Sequence, residues 1–357
     1  MNRPMIEAVP LTATVSTGRR LIERLPLLAK FAMSGGPHPL SRRPEWQAIL
    51  SAGLNHQPYA IEVVVRDRTF GYLPLAFVES RLFGRFLVSL PYLNSNGVIA
   101  AAPDVQRILL DRTVTLAEEL NADHVELRHE TAIDHDAFPG LLTSKVHMRL
   151  TLPDTIEKLW KGFDSKLRNQ IRKGEKTDFK PAWGGLDQLD AFYDVMSRNM
   201  RDLGTPIYGR RLFEEILTTF PNDAELCILR DGAKPVAGAL LLHGPGVTEV
   251  PSASSLRDYN ASCVNMVMYA RLLERAVERR QTIFDFGRST ADGPTFKFKK
   301  QWGARPSPTA WQFHYRTGRS TEVRPDDARY RRLIRIWQRL PVKLTQVLGP
   351  PIVRGIP

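Results

Sequence analysis

The chain has 357 residues, 43% hydrophobic and 25% charged, a globular mixture that excludes wholesale disorder, collagen and coiled coil. At about 100–200 residues per domain, this length predicts two domains or one large one. Lys and Arg number 50 against 38 acids, and the net charge of +12 favours nucleic acid, anionic lipid or phosphorylated substrates as partners without choosing among them.

No run of 18 apolar residues occurs, so no helix is expected to span a membrane. The start, MNRPMIEAVPLTATVSTGRR, lacks a continuous apolar region. The next stretch is interrupted by Glu23, Arg24 and Lys30, so no cleaved secretory signal is expected. Cys227 and Cys263 lie in apolar settings, read as buried thiols in a reducing cytoplasm. The histidines show no metal-ligand spacing, and no metal site is expected.

In chain order, residues 1–40 read as a weakly structured extension. Ser41 is placed to cap a short helix through Trp46, Ile49 and Leu50. A hairpin follows: strand 59–65, a turn at Arg66-Asp67-Arg68, and strand 70–78. Strand 86–90, a polar loop, helix 104–120 and strand 124–128 complete the first half. The spacing predicts one long basic helix over 154–176. Helices 189–202 and 211–219 come next, then strands 225–230 and 235–242 around Asp231-Gly232, strand 247–253, helix 264–280 and strand 282–286.

The two halves repeat one order: helix, hairpin, strand, polar loop, long helix, strand. The turn aspartates Asp67 and Asp231 lie 164 apart, and the strand acids Glu126 and Asp285 lie 159 apart. This predicts a duplicated α+β architecture in which each domain is a mixed, mostly antiparallel sheet flanked by helices. The expected boundaries are an extension at 1–40, a first domain at 41–150, a second at 151–320 with its basic helix at 154–176, and a basic tail at 321–357. The element order resembles the GNAT acyltransferase core, which makes the expected fold two tandem GNAT-like domains. The glycine-rich pyrophosphate loop of that family is absent from LRDYNASCVNMVMYA, where the long helix begins.

Two stretches carry chemistry. In DTIEKLWKGFDSKLRNQIRKGEK, seven basic residues lie between Lys158 and Lys176, and Arg168 and Arg172 share a face. The stretch reads either as a solvated linker face or as a phosphate-recognition helix. In TIFDFGRSTADGPTFKFKKQWG, Asp285 ends a buried strand, Gly287 allows a turn and Arg288 emerges beyond it. Alternation then puts Phe296 and Phe298 inward, with Lys297 and Lys299 outward.

Together these stretches resemble the Fem-type (FemAB-like) peptidyl or aminoacyl transferases. The residues that carry the resemblance are Lys166, Arg168, Asn169, Ile171, Arg172, Lys173 and Glu175 in the basic helix. In the second stretch they are Asp285, Phe286, Gly287, Gly293, Phe298, Lys299, Trp302 and Gly303, preceded by Asn265 and Tyr269. The chain is also similar to a subgroup associated with exopolysaccharide and exosortase functions. The resemblance implies transfer of an acyl or aminoacyl group to an amine of a cell-envelope or exopolysaccharide precursor, lipid-linked in one form. The donor would be charged tRNA or acyl-CoA, used as co-substrate with no tightly bound cofactor.

No Ser-His-Asp or Cys-His order is evident, which favours direct transfer without a covalent intermediate. On this reading Lys299 stabilises developing negative charge or holds the donor, and Asp285 accepts a proton or orients the amine. Arg168, Arg172 and Arg288 hold phosphates, and Tyr208 either lines the acceptor groove or packs. The basic segment 326–340, with Asp326 and Asp327 at its start, reads either as a helix docked on the second domain or as a peripheral contact with the inner face of a membrane. The alternative to an enzyme is a degenerate GNAT-like scaffold that binds RNA or a polysaccharide-assembly partner. DNA is not expected as a partner, because no helix-turn-helix or zinc-finger pattern appears.

Overall fold

The computed structural model describes residues 11–316 and 328–356. Strand β1 (Ala13–Ser16) leads into α1 (Gly18–Ala32), α2 (Trp46–Leu54), β2 (Gln57–Val65), β3 (Arg68–Ser80), β4 (Gly84–Val88) and the short β5 (Ile99–Ala100). Then come α3 (Pro103–Glu119), β6 (His124–His129), β7 (Gly140–Leu142), β8 (Lys145–Thr151), α4 (Ile156–Gly162), α5 (Ser165–Glu175) and β9 (Lys180–Gly184). The next stretch holds α6 (Leu189–Leu203), α7 (Arg210–Thr219), β10 (Ala224–Asp231), β11 (Lys234–Gly244), β12 (Val247–Ser255), α8 (Val264–Glu278) and β13 (Ile283–Thr290). The chain closes with α9 (Pro294–Lys300), β14 (Arg305–Pro308), β15 (Ala310–Tyr315), α10 (Ala328–Trp337) and α11 (Val342–Val353).

The strands form two mixed sheets, so the α+β expectation holds. One runs β1-β2-β3-β4-β6-β15-β7, with β5 on β3. The other runs β14-β8-β13-β12-β11-β10-β9. Each contains one parallel pair among antiparallel neighbours: β4 with β6, and β12 with β13. The hairpin turn between β2 and β3 places Arg66 and Asp67 at φ 47° and 63°, the left-handed geometry that matches strand twist.

The sheet order redraws the expected boundaries. Strand β8 lies before residue 151 yet pairs with β13 and β14 in the second sheet, and β15 lies before residue 320 yet pairs with β6 and β7 in the first. The first unit is therefore 11–142 with 310–316, and the second is 145–308. The extension is also built in: β1 pairs with β2, while α1 buries Leu21, Leu28 and Ala32 against Ala60 and Tyr72. Residues 1–10 lie outside the described residues.

Helix α8 covers one face of the second sheet, and α6 and α7 cover the other. That second face is shared, because Trp46, Ile49 and Leu50 of α2 pack into the same core as Phe192, Phe213 and Ile216. A Cβ on Gly53 would lie 2.8 Å from the Leu212 Cα, so glycine lets α2 and α7 approach. The expected helix over 154–176 is two helices. Asp164 breaks it, and its carboxylate accepts the Leu167 N–H at 2.6 Å as the cap of α5. The strand-like alternation at 294–300 is in fact helical, which puts Phe296 and Lys299 together on the buried side.

Candidate active site

The second sheet opens where its parallel pair ends. Strands β12 and β13 pair only from Val247–Glu249 against Ile283–Asp285. Beyond that point β12 stays with β11 and β13 stays with β8, its partner throughout, and Gly287, at φ 76°, forms a bulge. The last opposed pair is Glu249 and Asp285, two carboxylates side by side at the mouth of a V.

Their surroundings divide their chemistry. Asp285 is 3% exposed. It accepts the Gly287 N–H at 2.7 Å and Arg149 Nε at 2.8 Å, and His147 Nδ1 lies 3.2 Å away. Burial alone would raise this carboxyl, but His147 and Arg149 outweigh it and hold it down at about 2. Among the described residues no lysine or arginine pairs with Glu249. It accepts the Ser41 hydroxyl at 2.7 Å and the Ser41 N–H at 2.9 Å. Burial pushes it up to about 7, against the Ser41 N–H, and the charge of Asp285 adds to the rise. The two adjacent acids are thus pushed in opposite directions, Asp285 toward the ionised form and Glu249 toward the protonated one. Ser41, expected to cap a helix, is spent on Glu249 instead.

Lys299 is 8% exposed, and its Nζ donates to the carbonyls of Gly287 at 3.0 Å and Arg288 at 2.9 Å. Two of its three N–H donors are thereby used. Burial pushes it down to about 8, with Asp285 opposing. Between the two strands a cavity of ≈ 10 Å³, about one water, is lined by Tyr92, Asn94, His147, Glu249, Asp285 and Gly287. A much larger cleft of ≈ 1030 Å³ lies between the units. It reaches Arg149, which bridges Asp285 to Glu130 with a 2.8 Å bond to the latter.

The remaining sequence-predicted residues fall into three groups. On α5, Lys166, Asn169, Arg172 and Lys173 are exposed, while Arg168 turns back to the Phe163 carbonyl. This helix packs on α8, where Gly174 meets the Ser262 and Cys263 carbonyls, so its basic face flanks the first turn of α8 and half-buried Asn265. Lys297 is exposed on α9. Tyr269 is core: its ring lies 5.7 Å from Phe286 and 5.0 Å from Phe298, and burial pushes its hydroxyl up to about 12. Tyr208 and Arg288 lie toward Tyr92 and Asn94, which line the small cavity between the strands. Tyr208 packs edge-on to Tyr92 at 5.2 Å. Arg288 lies 3.3 Å over the Trp311 ring, whose other guanidinium neighbour is Arg128 at 4.2 Å. Burial and that second cation push Arg288 down to about 9.

Sequence reasoning missed Glu249, His147, Arg149 and Ser41. The His147-x-Arg149 spacing on β8 was the available signal, because residues two apart on a strand face the same way.

Residues 161–300 match the family described as acetyltransferase (GNAT) domain. This fold is a tandem GNAT-like fold. Over 84% of this chain and 96% of the other, it superposes on the crystal structure of FemX, at 14% identity and TM-score 0.62. It is similar to the C-terminal domain of a putative lysylphosphatidylglycerol synthetase from Agrobacterium fabrum, at 10% identity and TM-score 0.57, covering 83% and 93% of the two chains. It is also similar to a tandem GNAT protein from the clavulanic acid biosynthesis pathway, at 11% identity and TM-score 0.53, covering 85% and 97%. Among the curated proteins none matches the sequence.

Proposed function

We propose that the chain is an N-acyl or aminoacyl transferase of the Fem type, acting on an amine of a cell-envelope or exopolysaccharide precursor at the cytoplasmic side. The observation that carries this reading is the trio at the V: a carboxyl near neutrality, a carboxylate held ionised and a buried lysine. The similarity to FemX supports the aminoacyl branch, and so does a relative named for lysylphosphatidylglycerol.

The roles follow from protonation. The neutral amine nitrogen bonds to the acyl carbon, the carbonyl oxygen takes up negative charge that Lys299 meets, and Glu249, poised at about 7, takes the proton that the nitrogen sheds as the bond forms. The carbon–sulfur or carbon–oxygen bond to the donor breaks, and the proton on Glu249 passes to the leaving group. Asp285, with a carboxyl near 2 and both oxygens engaged, is a poor proton acceptor at working pH. We assign it instead to positioning Arg149, His147 and the Gly287 bulge, in place of accepting a proton or orienting the amine. Arg172, Lys173 and Asn265 hold donor phosphates at the first turn of α8, and Arg288 and Tyr208 face the acceptor.

The deciding measurement is thermal stability in matched salt with acyl-CoA, with a stable aminoacyl-tRNA mimic and with uncharged tRNA. A donor at about 100 times its dissociation constant stabilises the fold by about 2.7 kcal/mol. Preference for the charged over the uncharged RNA selects the tRNA branch. Stabilisation by acyl-CoA alone selects the acetyl branch. Response to none of them replaces the enzyme by a GNAT-like scaffold.

A further inference from the structure

The two tail helices have an inner and an outer side. Ile334 of α10 and Gln338 just beyond it face the end of α6: Ile334 meets Gly204, and Gln338 donates to the Asp202 carbonyl at 3.0 Å. On α11, Thr345, Gly349 and Val353 recur at every fourth position and are buried, and Gln346 donates to the Ser197 hydroxyl at 3.0 Å. Arg201 donates to the Leu340 carbonyl between the helices. The docking alternative for the tail is therefore satisfied by one side of each helix alone. The capping role expected of Asp326 and Asp327 lies outside the described residues.

The other side has no partner among the described residues. On α10 Leu333 and Ile336, three apart, are 60% and 50% exposed, and on α11 Leu344, Val347 and Leu348, at the spacing of one helix face, are 41%, 69% and 42% exposed. Large apolar side chains at this density on adjoining helices form a patch rather than isolated exposures. Beside them Arg332, Arg335, Arg339 and Lys343 are exposed. Residues 328–356 contain seven cations and no acid.

We infer that this face seats the protein on an anionic lipid surface, with the leucines, isoleucine and valine in the headgroup–acyl boundary and the arginines against lipid phosphates. Charge chooses this occupant over a second copy. A two-fold interface through the same face would press its cations against their own copies. None of the described helices is long and apolar enough to cross a membrane, so the contact is peripheral. The buried side of α11 runs close to Tyr208, the residue proposed to face the acceptor. A Cβ on Gly349 would come 3.0 Å from the Ile207 nitrogen, and the next residue is Tyr208, which packs on Tyr92.

The test is co-sedimentation of the full chain with phosphatidylcholine vesicles, with and without phosphatidylglycerol. The wild type binds the anionic vesicles selectively. L344E/V347E abolishes that binding, and R335A/R339A weakens it by about fivefold per arginine. Absence of selective binding by the wild type overturns the inference, and so does unchanged binding by L344E/V347E, because charge alone then suffices. A concentration-dependent dimer in sedimentation velocity that L344E/V347E dissolves overturns it in favour of a second copy. These readouts involve no turnover. L344E/V347E keeps wild-type transfer to a water-soluble acceptor, so failure here is distinguishable from failure of the transferase reading.

Discussion

The two parallel junctions solve one geometric problem with different residues. In the first sheet β4 pairs with β6 through Phe86–Val88 against His124–Glu126, and β4 then stops. The last opposed pair is Val88 and Glu126. Glu126 is closed off by Arg128 at 2.7 Å, and Arg128 itself stacks on Trp311 and donates to the Leu93 carbonyl at 2.7 Å. In the second sheet valine is replaced by Glu249, and the strand carrying the acid bulges at Gly287 and receives Lys299. One junction is an ion pair sealed under an aromatic ring. The other keeps an acid that titrates and a buried lysine. The fold needs the junction twice, and the proposed chemistry needs it once.

The largest contrast is in turnover. E249Q is expected to lower kcat by about 10²–10⁴ with the fold intact, the range for loss of a general base, while E126Q changes it little and lowers stability. The wild-type rate should rise with pH through about 7, as Glu249 loses its proton, and fall above about 8, as Lys299 loses its own. A profile flat across that window assigns the chemistry elsewhere, and equal losses in E249Q and E126Q erase the contrast between the junctions.

A smaller effect separates the two acids of the second junction. D285N leaves Arg149 and His147 without their shared carboxylate and should cost about 3 kcal/mol, measured by urea unfolding. The pH dependence carries the sign. Asp285 is depressed in the folded state, so its contribution is present above the unfolded value of about 4 and is lost as pH falls toward about 2. A D285N variant as stable as wild type at pH 7, with the same acid limb, removes the distinction drawn between the pair. The smallest effect is expected on α5: R172A raises the KM for donor and leaves kcat and stability within experimental scatter, since this side chain is exposed. A loss in kcat with unchanged KM would move Arg172 from donor binding to the transition state.

The duplicated element order was legible because hydrophobic periodicity is local, as in helix 264–278 and the hairpin around Asp67. Strands β8 and β15 were not, because nothing within seven residues records which sheet a short strand joins. The F-K-F-K-K run fits a period of two as well as the helical one, and burial of Phe296 with Lys299 decides between them. Asp285 and Lys299 were found through motif resemblance. Glu249 was invisible because its character comes from Ser41, 208 positions away, and from an acid on the neighbouring strand.

The exchange of β8 and β15 has a mechanical consequence. The chain crosses between the sheets at 142–145 and returns at 308–310, and the Thr309 hydroxyl donates to the Lys145 carbonyl at 2.6 Å, tying the two crossings together. Two tandem bodies on a single tether can swivel freely. Two bodies joined by a paired crossing resist torsion, because any twist must wind one strand of the pair around the other. Severing the chain after residue 143 would leave one half with an open edge at β6 and the other carrying a strand that belongs to its neighbour.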